Sequence, residues 1–240
     1  MGTNSGAFKR IVAGLGRHLV KLASGLPGQG MLDLSGSRDI EWSWVVAKMG
    51  NGPGKALDFG CGPSGLLSLT AAKRGFEVVA LDQLPVSWPF MESNISFIQD
   101  DILSVQLQTA SFDLVINCSA VEHVGLAGRY GTTNSIPDGD LEAMHALRKI
   151  MKPDAIMLLT IPVGQDAVFA PLHRVYGAER LPRLLQGYVI EDEEYWVKDT
   201  QNRWMKSRKE DVLIREPQRF LYGLGCLELH VSEGYSATLC

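Results

Sequence analysis

The stretch Ala56-Leu57-Asp58-Phe59-Gly60-Cys61-Gly62-Pro63-Ser64-Gly65 constrains the fold of this chain more than any other. Its apolar run reads as a buried strand that ends in an acid and breaks at once into glycine. A carboxylate at a strand tip beside bare backbone builds a pocket for an ammonium group and a flat ring face together. The same letters satisfy G-x-G-x-x-G at Gly60, Gly62 and Gly65, the turn that seats a dinucleotide pyrophosphate at a helix N-terminus. Asp58 separates these readings, because a carboxylate two residues before the first glycine repels pyrophosphate and attracts an amino group. An ordinary strand-to-helix turn also accounts for the glycines, so the decision falls to the residues downstream.

Those residues recur at predicted strand ends. Glu77 to Asp82 is β-branched and apolar, and it delivers Asp82 about 20 residues past the glycine turn, where a ribose-binding acid belongs. Ile95 to Ile102 alternates as a third strand containing Asp100 and Asp101, with Asp101 the favoured partner of an adenine amino group. Phe112 to Asn117 forms a fourth, running into Cys118-Ser119-Ala120-Val121-Glu122-His123 with its tip at the same edge. Any one of these acids reads equally well as a helix cap or a solvated loop residue. Together they converge where open α/β sheets bind ligands, beyond the carboxyl ends of the strands near the topological switch point. The set resembles the class I S-adenosylmethionine-dependent methyltransferases over residues 38–163 and more loosely to the C-terminus. That resemblance implies S-adenosyl-L-methionine as cofactor and S-adenosyl-L-homocysteine as product. It places donor contacts at Asp58, Phe59, Gly60, Cys61, Gly62, Asp82, Gln83, Asp101, Ile102, Asn117 and Cys118.

The strings Ser119 to Gly125, Gly128-Arg129-Tyr130-Gly131, Pro137 to Leu141, Pro162 to Asp166 and His173-Arg174-Val175-Tyr176-Gly177 resemble an uncharacterised methyltransferase-like family known only as a domain of unknown function. This second resemblance implies an association with cell-surface glycan synthesis and assigns no catalytic residue.

Composition agrees with one compact enzyme domain. A 240-residue chain with 45% hydrophobic content can bury a full sheet with helices on both faces. Residues 1–55 read as an N-terminal helical lid or substrate-side segment, and residues 56–240 as the donor-binding core. A net charge of −4 argues against a broad nucleic-acid footprint. Cys61, Cys118, Cys226 and Cys240 show neither metal spacing nor a disulfide framework, so no metal is expected and a reducing, cytoplasmic setting is the default. The longest apolar stretch, Ala155 to Val163, is too short to cross a bilayer. Neither a lipid anchor nor a signal peptide is indicated. Near the N-terminus, Phe8, Ile11, Val12, Leu15, Leu19 and Leu22 fall at helical spacing opposite a basic face. That segment is a packing helix or a surface for peripheral contact with anionic lipid or a phosphorylated substrate.

A helix over Ile40 to Met49 precedes the first strand, and of Trp42 and Trp44 one packs inward while the other walls a ligand pocket. Asp138 or Asp140 caps a helix over Leu141 to Met151, which Pro153 stops. Ile156 to Ile161, Tyr188 to Val197 and Gly223 to Val231 supply the remaining strands. The expected fold is a Rossmann-like, seven-stranded, mostly parallel sheet with an antiparallel C-terminal hairpin.

Methyl transfer needs an acceptor lone pair aligned with the methyl group, and positioning supplies much of the acceleration. A base helps when the acceptor is a hydroxyl. His123 follows the fourth strand tip and titrates near neutrality, so it is either that base or a brace for the turn. Glu122 could orient it. His173 is the second candidate base, beyond the fifth strand, with Arg174 and Tyr176 beside it as binders of a carboxylate, phosphate or sugar hydroxyl. Arg129 and Tyr130 could do the same, with Asp138 or Asp140 as partners. Oxygen methylation of a small hydroxylated molecule, a sugar or glycan precursor, is the expected reaction. The competing readings are a nicotinamide-dependent oxidoreductase and a methyltransferase fold that binds without turnover.

Overall fold

The computed structural model describes residues 37–128, 130 and 132–232. The basic N-terminal segment, Arg129 and Cys240 therefore lie outside the described residues. Helix α1 (Arg38–Lys48) leads into β1 (Gly54–Phe59), α2 (Leu66–Lys73), β2 (Phe76–Asp82), β3 (Ile95–Gln99) and β4 (Phe112–Cys118). A single 3₁₀ turn (Val121–His123) and α3 (Gly139–Ile150) follow, then β5 (Met151–Val163), a small hairpin of β6 (Ala167–Phe169) and β7 (His173–Val175), and α4 (Arg180–Leu184). The chain continues with β8 (Tyr188–Lys198), β9 (Trp204–Ser207), α5 (Lys209–Leu213) and β10 (Gly223–Val231).

The main sheet runs β3-β2-β1-β4-β5-β10-β8-β9. Its first five strands are mutually parallel, and β10, β8 and β9 join antiparallel. The sheet thus has eight strands where seven are expected. The extra one, β9, is a four-residue edge strand, Trp-Met-Lys-Ser, too short and too polar on its flanks to show a period of two.

The near-continuous apolar runs of the inner strands follow from burial on both faces. Ala56, Val78, Leu114, Ile116 and Leu158 pack on one side with Trp44 and Val45 of α1 and Leu67 and Ala71 of α2. Their neighbours Leu57, Val79, Val115, Met157 and Leu159 pack on the other with Ala143, Met144, Leu147 and Ile150 of α3. That α3 face repeats every three to four residues, which is why the helix lies flat on the sheet. The helix ends at Ile150, and Pro153 falls in the irregular opening of β5, where the register with β4 shifts before Leu114 meets Ile156. A residue without an N–H is tolerated there because the regular ladder has not begun. Neither Asp138 nor Asp140 caps α3 through its side chain; both face arginines instead.

Candidate active site

The parallel register sets the strand ends side by side: Phe59 pairs with Leu81 and Asn117, Asp82 with Gln99, and Cys118 with Thr160. The order 2-1-4-5 places the topological switch between β1 and β4, and a cleft of about 290 Å³ opens there. A hollow of about 230 Å³ adjoins it, sharing Arg38, Gly60, Gly62, Pro63 and Cys118 as walls.

The glycine loop is shaped for close approach. Gly60 has φ +72°, and a Cβ there would sit 2.5 Å from that of Ala120. At Gly65, φ +56°, a Cβ would lie 2.5 Å from the Trp88 ring, whose Nε1 donates to the Gly62 carbonyl at 3.2 Å. Asp82 holds the loop from the other side: Gly62 N donates to its Oδ2 at 3.0 Å and Leu84 N to its Oδ1 at 2.9 Å. Each carboxylate oxygen has a further lone pair for a ligand hydroxyl. Asp101 lines the same cleft, accepting from Leu103 N at 2.9 Å and from Gln83 Nε2 at 2.6 Å. Phe59 and Ile102 supply apolar wall between these acids.

Asp58 lines the adjoining hollow with Trp42 and Cys61. It is almost fully buried and accepts from Ser68 Oγ at 2.5 Å; burial pushes its carboxyl up to about 6, against the lowering effect of that hydrogen bond. Burial likewise pushes the Cys61 and Cys118 thiols up, so both walls are chemically quiet. Trp42 lines this hollow, while Trp44 packs in the core.

Asn117 is turned away from the cleft. Its Oδ1 accepts from Val121 N at 3.3 Å and its Nδ2 meets Met144 Sδ at 3.6 Å, which ties β4 to the 3₁₀ turn and α3. That turn brings His123 to the cleft wall. His123 Nδ1 lies 2.5 Å from the Leu172 carbonyl, and its ring meets Tyr130 edge-on at 5.7 Å. Glu122 is buried, with Oε1 3.7 Å from His123 Nε2 and no hydrogen-bond partner on Oε2 among the described residues. Burial pushes its carboxyl up to about 8, so it is largely protonated at neutral pH.

Three other expected site residues lie elsewhere. His173 is buried between Phe169 and Tyr222, with ring centroids at 5.6 and 4.9 Å, outside the cleft wall. Arg174 is buried as well and donates to the carbonyls of Val124 at 2.6 Å, Pro137 at 3.2 Å and Ile136 at 3.3 Å. Tyr176 Oη donates to Asp140 at 3.1 Å, and Arg180 closes the cluster on Asp140 and Asp138. Arg174 and Tyr176 therefore brace the loop behind His123 and line neither the cleft nor the hollow, and Asp138 and Asp140 are partners in this brace. An arginine in a loop-like string reads the same in sequence whether it faces a ligand or a set of carbonyls.

One wall residue and its buried partner carry no sequence motif. Arg38 reaches both cavities from α1, and its Nη1 donates to buried Glu41 at 2.7 Å. Glu41 also accepts from Ser119 Oγ and from Thr160 Oγ1 at 3.1 Å, linking α1 to the ends of β4 and β5. An oppositely charged pair three apart on a helix is their only signal. Among the described residues no group of three His, Cys, Asp or Glu is placed to hold a metal ion, and no helix is long and apolar enough to cross a membrane.

Comparison with known proteins agrees with this geometry. A family model described as Caenorhabditis protein of unknown function, DUF268, matches residues 77–212. YqeM of Bacillus subtilis (strain 168), provisionally named a methyltransferase, is 26% identical over 129 residues, 50% of this chain and 47% of its own. The chain thus matches about half the length of that relative. Among solved structures, the Burkholderia thailandensis 1,6-didemethyltoxoflavin-N1-methyltransferase, with 1,6-didemethyltoxoflavin and S-adenosylhomocysteine bound, superposes with a TM-score of 0.58 at 16% identity. The match covers 97% of this chain and 94% of that one. The N-methyltransferase NodS of Bradyrhizobium japonicum WM9, in complex with S-adenosylhomocysteine, gives 0.55 at 13% identity over 90% and 98%. The chain has the class I methyltransferase fold.

Proposed function

The chain belongs to the DUF268 family, and we propose that it is an S-adenosylmethionine-dependent methyltransferase acting on the oxygen of a small hydroxylated acceptor, a sugar or glycan precursor. The observation that carries the reading is the pair of adjoining cavities, one lined by Asp58 and the other by Asp82 and Asp101, that meet across a glycine loop admitting no side chain at Gly60. Asp82 suits ribose hydroxyls, Asp101 with Gln83 an adenine edge, and Asp58 an ammonium group. The same Asp58 opposes a pyrophosphate, which disfavours a nicotinamide dinucleotide. The B. thailandensis and B. japonicum proteins of the same fold are methyltransferases crystallised with S-adenosylhomocysteine, which supports the donor.

Bound in the crevice, the donor supplies an electrophilic methyl group; the chain's residues orient the acceptor and take its proton. A carbonyl only accepts, so the contact with Leu172 puts the hydrogen of a neutral His123 on Nδ1 and the lone pair on Nε2. Nε2 is the atom that removes the acceptor proton, and Tyr130 and Thr132 lie along the same wall. Residues 56–240 carry the donor-binding core in this reading, and α1 (Arg38–Lys48), from the segment before it, lines the same cavities through Arg38. A cytoplasmic location completes the reading. The test is transfer of isotopically labelled methyl from S-adenosylmethionine to small molecules of a cell extract. Label on an oxygen of a polyhydroxylated product is expected, and label on nitrogen or sulfur overturns the acceptor class.

A further inference from the structure

Four of the eight exposed large apolar side chains among the described residues belong to two segments that pack on each other. Val168 lies on β6, and Ile214, Phe220 and Leu221 lie on the connection between α5 and β10. Gln165, just before β6, donates from its backbone N to the Arg215 carbonyl at 2.8 Å and from Nε2 to the Ile214 carbonyl at 2.9 Å, while Tyr222 meets the His173 ring at 4.9 Å. The connection is itself a built turn. Gln218 N donates to the Leu221 carbonyl at 2.8 Å and Leu221 N to the Gln218 carbonyl at 3.1 Å, which leaves Arg219 and Phe220 at the tip. Phe220 is 78% exposed and Ile214 72%, and the Arg219 guanidinium stands over the Phe220 ring at 5.4 Å. Apolar side chains scattered singly over a surface need no explanation, but a hydrogen-bonded turn that holds an aromatic ring out in water beside three aliphatic neighbours marks a contact surface. Its place is the carboxyl edge of the sheet, because Gly223, first in β10, pairs with Val163, last in β5. Leu172 of the same hairpin touches His123, so this unit adjoins the cleft wall.

The charges beside the apolar tip select its occupant. Arg215 and Arg219 are exposed, Asp211 is already paired with Arg208 at 2.8 Å, and Glu216 is the one acid of the connection. Residues 1–32 add Lys9, Arg10, Arg17 and Lys21 with no Asp or Glu. That stretch leads into α1, whose Glu41 meets the ends of β4 and β5, so the excess positive charge enters the described chain at the same edge. A convex apolar tip flanked by arginines fits a surface that is anionic on top and apolar beneath: phenylalanine and aliphatic side chains enter the acyl boundary, and the long arginine stems leave their guanidinium groups among the phosphates. A second copy seated on the same patch would set arginine against arginine. We infer that the β6–β7 hairpin and the Arg219-Phe220 turn form a docking face for an anionic phospholipid bilayer, with the cleft on the bilayer-facing edge. Acceptor hydroxyls are then taken from molecules held at the lipid surface. That consequence rests on the acceptor reading above; the docking face does not.

The test is co-sedimentation of the whole chain, without methyl donor, with phosphatidylcholine vesicles prepared with and without phosphatidylglycerol. Binding should be tighter on the anionic vesicles by roughly tenfold, and Phe220→Ser/Leu221→Ser should weaken it by roughly tenfold or more, the loss of two inserted side chains. Arg215→Gln/Arg219→Gln should weaken binding to anionic vesicles by roughly fivefold or more and leave neutral vesicles unchanged. All four side chains are exposed, so both variants should unfold in urea at the wild-type midpoint. Met91→Ser removes an exposed apolar side chain on the connection into β3 and should bind as the wild type does. Wild-type protein that stays off anionic vesicles, binding that Phe220→Ser/Leu221→Ser leaves unchanged, or an equal loss in Met91→Ser overturns the docking face. Self-association of the wild type that the same double variant abolishes, with no vesicle binding, gives the face to a second copy and overturns it as well. A wild type that docks on vesicles but binds no S-adenosylhomocysteine overturns the donor reading alone.

Discussion

The Nδ1 atom of His123 lies 2.5 Å from the carbonyl oxygen of Leu172, a residue on the turn between β6 and β7. This contact fixes the ring at the cleft wall and selects the nitrogen that can accept a proton. His123→Ala should lower turnover by roughly 10²- to 10⁴-fold while S-adenosylhomocysteine affinity stays unchanged, as for loss of a general base. Turnover retained in the variant would mean catalysis by positioning alone.

Arg174 is the other half of that arrangement, because the carbonyls it binds belong to the loop following His123. Arg174→Met should cost roughly 1–3 kcal/mol or more in denaturant unfolding, because it leaves buried carbonyls of that loop without their donor. An arginine that bound substrate would instead raise KM and leave stability untouched.

What was legible in the sequence tracks the physics of each element. Strand tips were readable because a run buried on both faces must be apolar until it reaches the carboxyl edge of the sheet, as at Asp58 and Asp82. Trp42 and Trp44 split as helical geometry requires. Arg174, Tyr176 and His173 were misplaced because a short string cannot tell which way its side chains turn once the chain folds back in the β6–β7 hairpin. Arg38 and Glu41 were missed for the opposite reason: charges at a helix start normally face water, and only the contact with Ser119 and Thr160, more than 70 residues away, buries Glu41. Asn117 was correctly placed at a strand end, yet its side chain serves the turn that carries His123.

Glu122 gives a pH signature. Burial holds its carboxyl at about 8, above the ordinary value of 4.5 that the unfolded chain recovers. Between those values the folded protein binds the extra proton, so its stabilising effect is complete at the acid end and is lost as pH rises through about 8. Asp58, held at about 6, contributes the same sign over a lower window. Glu122→Gln has no proton to lose. Urea midpoints measured from about pH 5 to about pH 8 should therefore fall less in Glu122→Gln than in the wild type. Parallel curves would contradict a buried, protonated Glu122.

The most direct measurement is a calorimetric titration of the wild-type protein and Asp82→Ala with S-adenosylhomocysteine and with NAD. Asp82 both holds Gly62 and faces the cleft. The wild type should bind S-adenosylhomocysteine in preference to NAD, and Asp82→Ala should weaken that binding by about 1–3 kcal/mol, the loss of a hydrogen-bonded charged group. A preference for NAD, or S-adenosylhomocysteine affinity indifferent to Asp82→Ala, would contradict the assignment of this cleft as a methyl-donor site.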